Sequence, residues 1–396
     1  MPLGLSERLQ KIQASPTLAL NAKANELKKQ GKPIIGFVVG EPDYNTPQVI
    51  VDALVASVQK GRTRYGAAGG GLELRQGICN KLERENRLSF SPEQIVVGIG
   101  AKEILFHLSL SLLNEGDEVL FLAPYWVSYG DQVIAAGGTP VVIPPPDAGA
   151  SIQTQIEQIE SYCTPRTKAL ILNSPNNPAG YCFNTEMLQK LGAIAKRHDW
   201  WIISDEIYEY MSFDAPHVSL LNLFPELASR FILVNGFSKA FAMTGWRVGY
   251  AAAPKEVAQV LRNVQSQSST CLPGFIEDAA LVAIGRGAPL MVKEIASLKH
   301  RRDLAYGLLS AFPGIQITKP EGAFYIFMDV RGWLASQKKL SCTTSFELCA
   351  VLLEQFHLAF VPGEAFGAAG FIRMSYTVSD AEIVEGIARL KKALYS

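Results

Sequence analysis

The sequence predicts an α/β architecture: a large, mostly parallel seven-stranded sheet sandwiched by helices, with a small α+β unit beside it. Three observations lead there. The chain has 396 residues, too many for one small core. Its middle two-thirds alternates short, nearly uninterrupted apolar runs with stretches of helical length, the pattern of strands buried on both faces. Its last third changes to a strand–helix–strand–helix rhythm, with no internal repeat and no low-complexity linker.

The seven runs are Gln94–Gly98, Glu118–Leu122, Thr139–Ile143, Lys168–Asn173, Trp200–Ser204, Arg230–Asn235 and Arg247–Ala253. Each is rich in β-branched or aromatic residues and too short for a core helix. Ala101 to Leu113 has helical length and spacing, and a long helical region is expected from Pro254 to about Phe312. The strands of the small unit are expected within Gly322–Met328 and Gly370–Tyr376, before a terminal helix from Ser379 to Leu394. The expected division is an N-terminal arm with part of the small unit over 1–48, the large domain over 49–290 and the small C-terminal domain over 291–396.

Composition narrows the function classes. Lys+Arg and Asp+Glu balance at 37 each, so nothing points to a polyphosphate partner or an anionic membrane surface. The longest apolar candidate, Val133 to Ile152, is interrupted by glycines, prolines and Asp147, so no membrane span is expected. The start, Met1-Pro-Leu-Gly-Leu-Ser-Glu-Arg8, lacks the basic-then-apolar pattern of a signal peptide. Six scattered cysteines without a Cys-x-x-Cys pair fit reduced thiols in a cytoplasmic protein. Five dispersed histidines give no expected metal site.

The chemistry is expected at strand ends, where open α/β sheets bind ligands. Lys239 follows a buried strand in the small-residue turn Gly236-Phe-Ser238-Lys239. Burial or a nearby cation lowers a lysine's pKa and makes it a nucleophile for carbonyl carbon. Arg247, eight residues on, offers a fork that suits phosphate. Gly100-Ala101-Lys102 opens a helix directly after a strand, so its N–H groups and the positive end of the dipole form an anion site. The run Gly66–Gly71 lacks the Gly-Lys-Ser/Thr ending of a nucleotide loop and reads as a flexible turn that presents Tyr65. Each feature alone is also compatible with ordinary structure: a surface lysine, a paired arginine, a helix start.

Together they carry a resemblance. Gly236-Phe-Ser-Lys-Ala-Phe-Ala-Met-Thr-Gly-Trp-Arg-Val-Gly249 resembles the lysine signature of class I aminotransferases, which are fold type I pyridoxal-phosphate enzymes. Gly40-Glu-Pro-Asp43, Tyr65-Gly66, Gly100–Lys102, Ala123-Pro-Tyr-Trp126, Asn173–Gly180, Ser204–Tyr208 and Arg373 match in register over essentially the whole chain. The similarity points to the bacterial aspartate/prephenate branch.

The resemblance implies pyridoxal 5'-phosphate bound to Lys239 as a Schiff base, in a ping-pong course through aldimine and ketimine. It places Asp205 against the pyridinium nitrogen, a role that competes with plain helix capping. Tyr208 and Asn177 then meet the ring's phenolic oxygen, and Trp126 stacks on the ring. Gly100, Ala101, Lys102, Ser238 and Arg247 surround the phosphate, and Tyr65 reaches it from the neighbouring subunit, implying a homodimer with shared sites. Arg373, costly to bury in an apolar strand without a partner, takes the substrate α-carboxylate, with Gly40 nearby. Lys102 is placed on the distal carboxylate of a dicarboxylic substrate, with Ser15 and Thr17 of the N-terminal arm closing over it.

The expected substrates are therefore an amino acid and a 2-oxo acid: aspartate with 2-oxoglutarate first, prephenate or an aromatic substrate next. A β-lyase or aminocyclopropane-type synthase shares much of the lysine motif. A catalytically silent cofactor-binding protein is the reading from outside enzymology.

Overall fold

The computed structural model describes residues 4–12, 14, 16–145, 151–337, 340 and 342–396. Ser15 and Asp147 lie outside the described residues. Strand β1 (Ile35–Gly36) belongs to a separate two-stranded pair. The next seven are β2 (Ile95–Ile99), β3 (Glu118–Leu122), β4 (Thr139–Ile143), β5 (Thr167–Asn173), β6 (Trp201–Asp205), β7 (Phe231–Gly236) and β8 (Val248–Ala252). They form one sheet in the order β2-β8-β7-β6-β5-β3-β4. Only β8 runs against the others, pairing antiparallel with β2 and β7. The apolar runs fold as strands because helices cover both sheet faces, so side chains pointing either way are buried in all but the edge strand β4, which stays partly exposed.

Beyond that sheet come β9 (Gln316–Ile317), β10 (Tyr325–Asp329), β11 (Leu358–Ala359), β12 (Val361–Pro362) and β13 (Phe371–Ser375). Four of these form an antiparallel sheet, β12-β13-β10-β9, while β1 pairs parallel with β11. A separate apolar core gathers β10, β13 and the helices Val292–Leu309, Ser345–Phe356 and Asp380–Tyr395. The terminal helix starts as its sequence dictates: Ser379 and Glu382 form a reciprocal capping box. Among the described residues no helix is long and apolar enough to cross a membrane.

Two expectations are corrected. The helical region from Pro254 is three α-helices, Lys255–Gln267, Gly274–Arg286 and Val292–Leu309. Its first break holds Thr270 at φ 68° just ahead of Pro273; a β-branched residue in that region and a proline both oppose helix. The glycine run is no loose turn. The Gly69 N–H donates to Gln265 and the Gly71 N–H to Glu277, and Gly70 lies so close to Val97 that a Cβ would fall 2.8 Å away.

Candidate active site

Three parallel strands end side by side and deliver Asn173, Asp205 and, beyond Gly236, Ser238 and Lys239. Their ends open into a cavity of about 300 Å³ whose other wall comes from β10, β13 and the N-terminal loop. Gly40, Ala101, Lys102, Trp126, Asn177 and Asp205 line it. So do Tyr208, Ser238, Lys239, Arg247, Arg373 and Thr17. Gly100 sits just behind, covered by the Arg247 guanidinium: a Cβ there would fall 2.6 Å from Nη2.

Asp205 is the last residue of β6 and 5% exposed. Tyr129 Oη donates to Oδ2 at 2.7 Å and the Ile207 N–H to Oδ1 at 3.2 Å. Burial pushes the carboxyl up to about 6 even against these two bonds, because desolvation penalises the charged form. Such a carboxyl is poised to become a firm anion once a cation sits against it. It caps no helix; the chain beyond it turns into the short 3-10 segment Glu209–Met211. Tyr129 was not anticipated. In the aromatic run Tyr125-Trp126-Val127-Ser128-Tyr129 nothing distinguishes it from a core residue.

Arg373 and Asn177 form the opposite end of the floor. Asn177 is held by its N–H, which donates to Asn173 Oδ1 at 2.8 Å. Its Oδ1 accepts from Arg373 Nη1 at 3.1 Å, while Nη2 donates to the Val38 carbonyl at 2.7 Å. The guanidinium lies 4.4 Å from the Tyr325 ring and 4.9 Å from the Phe366 ring. Arg373 is 2% exposed, its Nε has no hydrogen-bond partner, and no carboxylate pairs with it among the described residues. A buried, unpaired cation is costly. The ion pair on a solvated sheet face, the ordinary alternative, does not occur.

Lys239 is half-buried between these ends, its Nζ donating to the Gly40 carbonyl at 2.5 Å. Burial brings the amine down to about 8, with Arg373 and Arg247 adding to the effect and Glu41 and Asp205 opposing it. The amine is thereby more readily deprotonated near neutrality than an ordinary lysine.

Beside it is an anion cradle. Gly100 (φ 82°) turns the chain from β2 into the helix Ala101–Leu112. The N–H groups of Ala101 and Lys102 have no acceptor among the described residues. Arg247 folds over this turn at φ 59°, its Nη1 bonded to the Thr244 carbonyl at 3.0 Å. Gly249 permits the packing, since a Cβ there would fall 2.2 Å from the Ala101 nitrogen. Free N–H groups, a helix dipole and a guanidinium suit a phosphate.

At the mouth, Lys102 Nζ lies 4.8 Å from the centroid of the half-buried Trp126 ring. Partial desolvation and then the charge of Arg247 lower its pKa below the usual lysine range. Thr17, in the helix Pro16–Lys29, is half-buried at the same edge. Tyr65 is not brought here. It is 88% exposed, in a separate groove with Arg62, Glu277 and Asp278.

A family model described as aminotransferase class I and II matches residues 32–390. The chain belongs to this family. The aspartate/prephenate aminotransferase of Nitrosomonas europaea is 40% identical over 397 residues, covering 98% of this chain and 99% of that one. The aspartate aminotransferase of Geobacillus stearothermophilus is 40% identical over 390 residues, 98% of both chains. Among solved structures, the Thermus thermophilus aspartate aminotransferase with maleate superposes with a TM-score of 0.91 at 37% identity, covering 99% of this chain and 100% of that one. The protein is thus an aminotransferase of the pyridoxal-phosphate-dependent kind, and the predicted fold class holds. The aminotransferase cavity contains two further aromatics that the sequence did not flag, Phe366 and Tyr325, and the Tyr325 hydroxyl is 2.9 Å from that of Tyr208.

Proposed function

We propose that this aminotransferase moves the amino group of a dicarboxylic amino acid, aspartate foremost, to 2-oxoglutarate in two successive half-reactions, with pyridoxal 5'-phosphate held at Lys239. The observation that carries the reading is Arg373, a buried cation without a carboxylate partner in the same cavity as a partly desolvated lysine. The cavity's donor set fits the cofactor. Free N–H groups at Ala101 and Lys102, with Ser238 and Arg247, suit its phosphate. The buried Asp205 suits its ring nitrogen, Tyr208 and Asn177 its phenolic oxygen, and Trp126 its face. When bound, pyridoxal phosphate supplies an aldehyde that captures amines and a protonated ring that accepts the electron pair left at the substrate's Cα.

This chain's residues do the rest. Asp205 holds the proton on the ring nitrogen. Arg373 takes the α-carboxylate, with Gly40 beside it, and so fixes which bond at Cα stands across the ring, favouring proton loss over decarboxylation. Lys239 Nζ, the amine that would hold the cofactor, would also serve as the general base for the Cα proton. Lys102 meets a distal carboxylate at the mouth, with Thr17 and, by the sequence reading, Ser15 closing over it. The maleate of the Thermus thermophilus structure is a dicarboxylate and supports this preference. Prephenate, another dicarboxylate, is a natural second acceptor given the name of the Nitrosomonas europaea relative. A homodimer would bring a second copy's Tyr65 to the phosphate.

The test is direct. Protein loaded with pyridoxal phosphate and reduced with borohydride should carry the label on the Lys239 peptide, and Lys239→Ala should lose it. The half-reaction of that variant should fall by at least roughly 10²–10⁴-fold, since it lacks both general base and covalent anchor. Label uptake by the cofactor-free protein should rise as pH climbs through about 8, the value to which burial brings this amine, because only the unprotonated form attacks. With a panel of amino donors, aspartate and 2-oxoglutarate should give the highest kcat/KM. Labelling elsewhere, or release of ammonia and pyruvate instead of a new amino acid, would overturn the reading.

A further inference from the structure

Tyr325 opens β10 directly after a tight turn in which Ala323 sits at φ 57°. That turn is held by the Ala323 N–H donating to the Met211 carbonyl and by Tyr376 Oη donating to the Ala323 carbonyl at 3.2 Å. The antiparallel register sets Tyr325 opposite Ser375 and Phe327 opposite Arg373. Tyr325 and Arg373 are therefore diagonal neighbours on one sheet face, within reach of long side chains. The ring meets the Arg373 guanidinium at 4.4 Å, and the hydroxyl meets Tyr208 Oη at 2.9 Å. It also packs on Gly40, where a Cβ would fall 2.9 Å from Tyr325 Oη; the Gly40 carbonyl holds the Lys239 amine. One side chain thus touches the neighbourhood of the carboxylate clamp, of Tyr208 and of the lysine.

The direction of the tyrosine–tyrosine bond follows from proton counting. Each hydroxyl has one proton. Tyr325 Oη has no other hydrogen-bond partner among the described residues, whereas Tyr208 lines the cavity. An anionic oxygen in that cavity needs a donor, so Tyr208 must spend its proton inward and accept from Tyr325. The positive charge of Arg373 beside the Tyr325 ring makes Tyr325 the better donor of the two. We propose that Tyr325 is a positioning residue with two separable jobs: its hydroxyl aims the Tyr208 proton at the cofactor's phenolic oxygen, and its ring holds the Arg373 guanidinium in place for the substrate carboxylate. This rests on the proposed function and deepens it.

Two variants separate the jobs. Tyr325→Phe keeps the ring and removes only the hydroxyl; Tyr325→Leu removes both. Affinity of the cofactor-free protein for pyridoxal phosphate should fall roughly 3- to 10-fold in Tyr325→Phe, as loss of one hydrogen bond implies. The pH midpoint of the visible absorbance change of the loaded protein should move upward, because the phenolic oxygen's negative charge loses support. Calorimetric affinity of the loaded protein for succinate, an unreactive dicarboxylate, should stay within about 2-fold in Tyr325→Phe and drop roughly 10-fold in Tyr325→Leu. An unchanged midpoint and cofactor affinity in Tyr325→Phe would overturn the hydroxyl's job. Succinate binding as tight in Tyr325→Leu as in wild type would overturn the ring's. If Tyr325→Leu fails to fold, a succinate affinity lowered in Tyr325→Phe as well overturns the separation. Should wild type itself form no absorbing adduct with pyridoxal phosphate, the proposed function fails, whatever the variants do.

Discussion

The floor and the mouth of the cavity are built on opposite plans. On the floor, Asp205, Tyr208, Asn177 and Arg373 are all under 10% exposed and mostly fixed by bonds within the chain. At the mouth, Lys102 is exposed and rests on an aromatic face rather than on an acid. Charges on the floor act at low dielectric with their geometry settled in advance, so each is worth more than in water. Charges at the mouth are screened and adaptable. The chemistry common to every substrate belongs on the floor, and discrimination among substrates belongs at the mouth.

The largest test of that division is Asp205→Asn, which keeps shape and removes the charge proposed to face the ring nitrogen. The half-reaction with an amino acid should slow by about 10³–10⁵, or 4–7 kcal/mol of barrier. Single-turnover kinetics is the appropriate measurement because it isolates proton abstraction from product release. A loss below about tenfold, roughly 1.4 kcal/mol, would mean that Tyr129 and the backbone merely pack this carboxyl and that another acid serves the ring. Next in size is Arg373→Gln. Removing a buried fork should cost every amino-acid substrate near the upper end of a charged hydrogen bond, about 3 kcal/mol or 150-fold in kcat/KM. Equal losses for aspartate and alanine are expected. A loss confined to aspartate would move Arg373 from the common clamp to side-chain recognition.

The same division explains what could be read in the sequence. All seven apolar runs became strands, each within a residue or two of the expected bounds, because burial on both faces leaves a local signature. The insertion of antiparallel β8 between β2 and β7 left none, since strand order is a non-local property. The floor residues Asp205, Tyr208, Asn177 and Arg373 were picked out by the family resemblance of their motifs rather than by burial. Tyr129 and Tyr325 were not. Their partners lie 76 and 117 positions away, and an aromatic among aromatics gives no hint that its hydroxyl is needed. Tyr65 illustrates the converse: its motif was legible, yet the structure places it outside this cavity, in a separate groove.

The smallest expected effect concerns Lys102, and it decides substrate class. Lys102 Nζ sits over Trp126 with no carboxylate of the chain paired to it among the described residues, so its charge is free for a ligand. Its exposure keeps the gain modest, near the lower end for a charge-assisted contact, about 1.5 kcal/mol or tenfold. Lys102→Ser should therefore lower kcat/KM for aspartate by about that factor while sparing phenylalanine, which has no distal carboxylate. The useful quantity is the ratio of the two efficiencies, because any general disturbance of the phosphate turn next door lowers both alike. Raising the ionic strength should shrink the wild-type ratio towards that of the variant, as screening of an exposed contact requires. If the ratio is the same in wild type and Lys102→Ser, the lysine serves the phosphate turn alone. The mouth would then hold no dicarboxylate site, and the floor would define an aminotransferase indifferent to the substrate's far end.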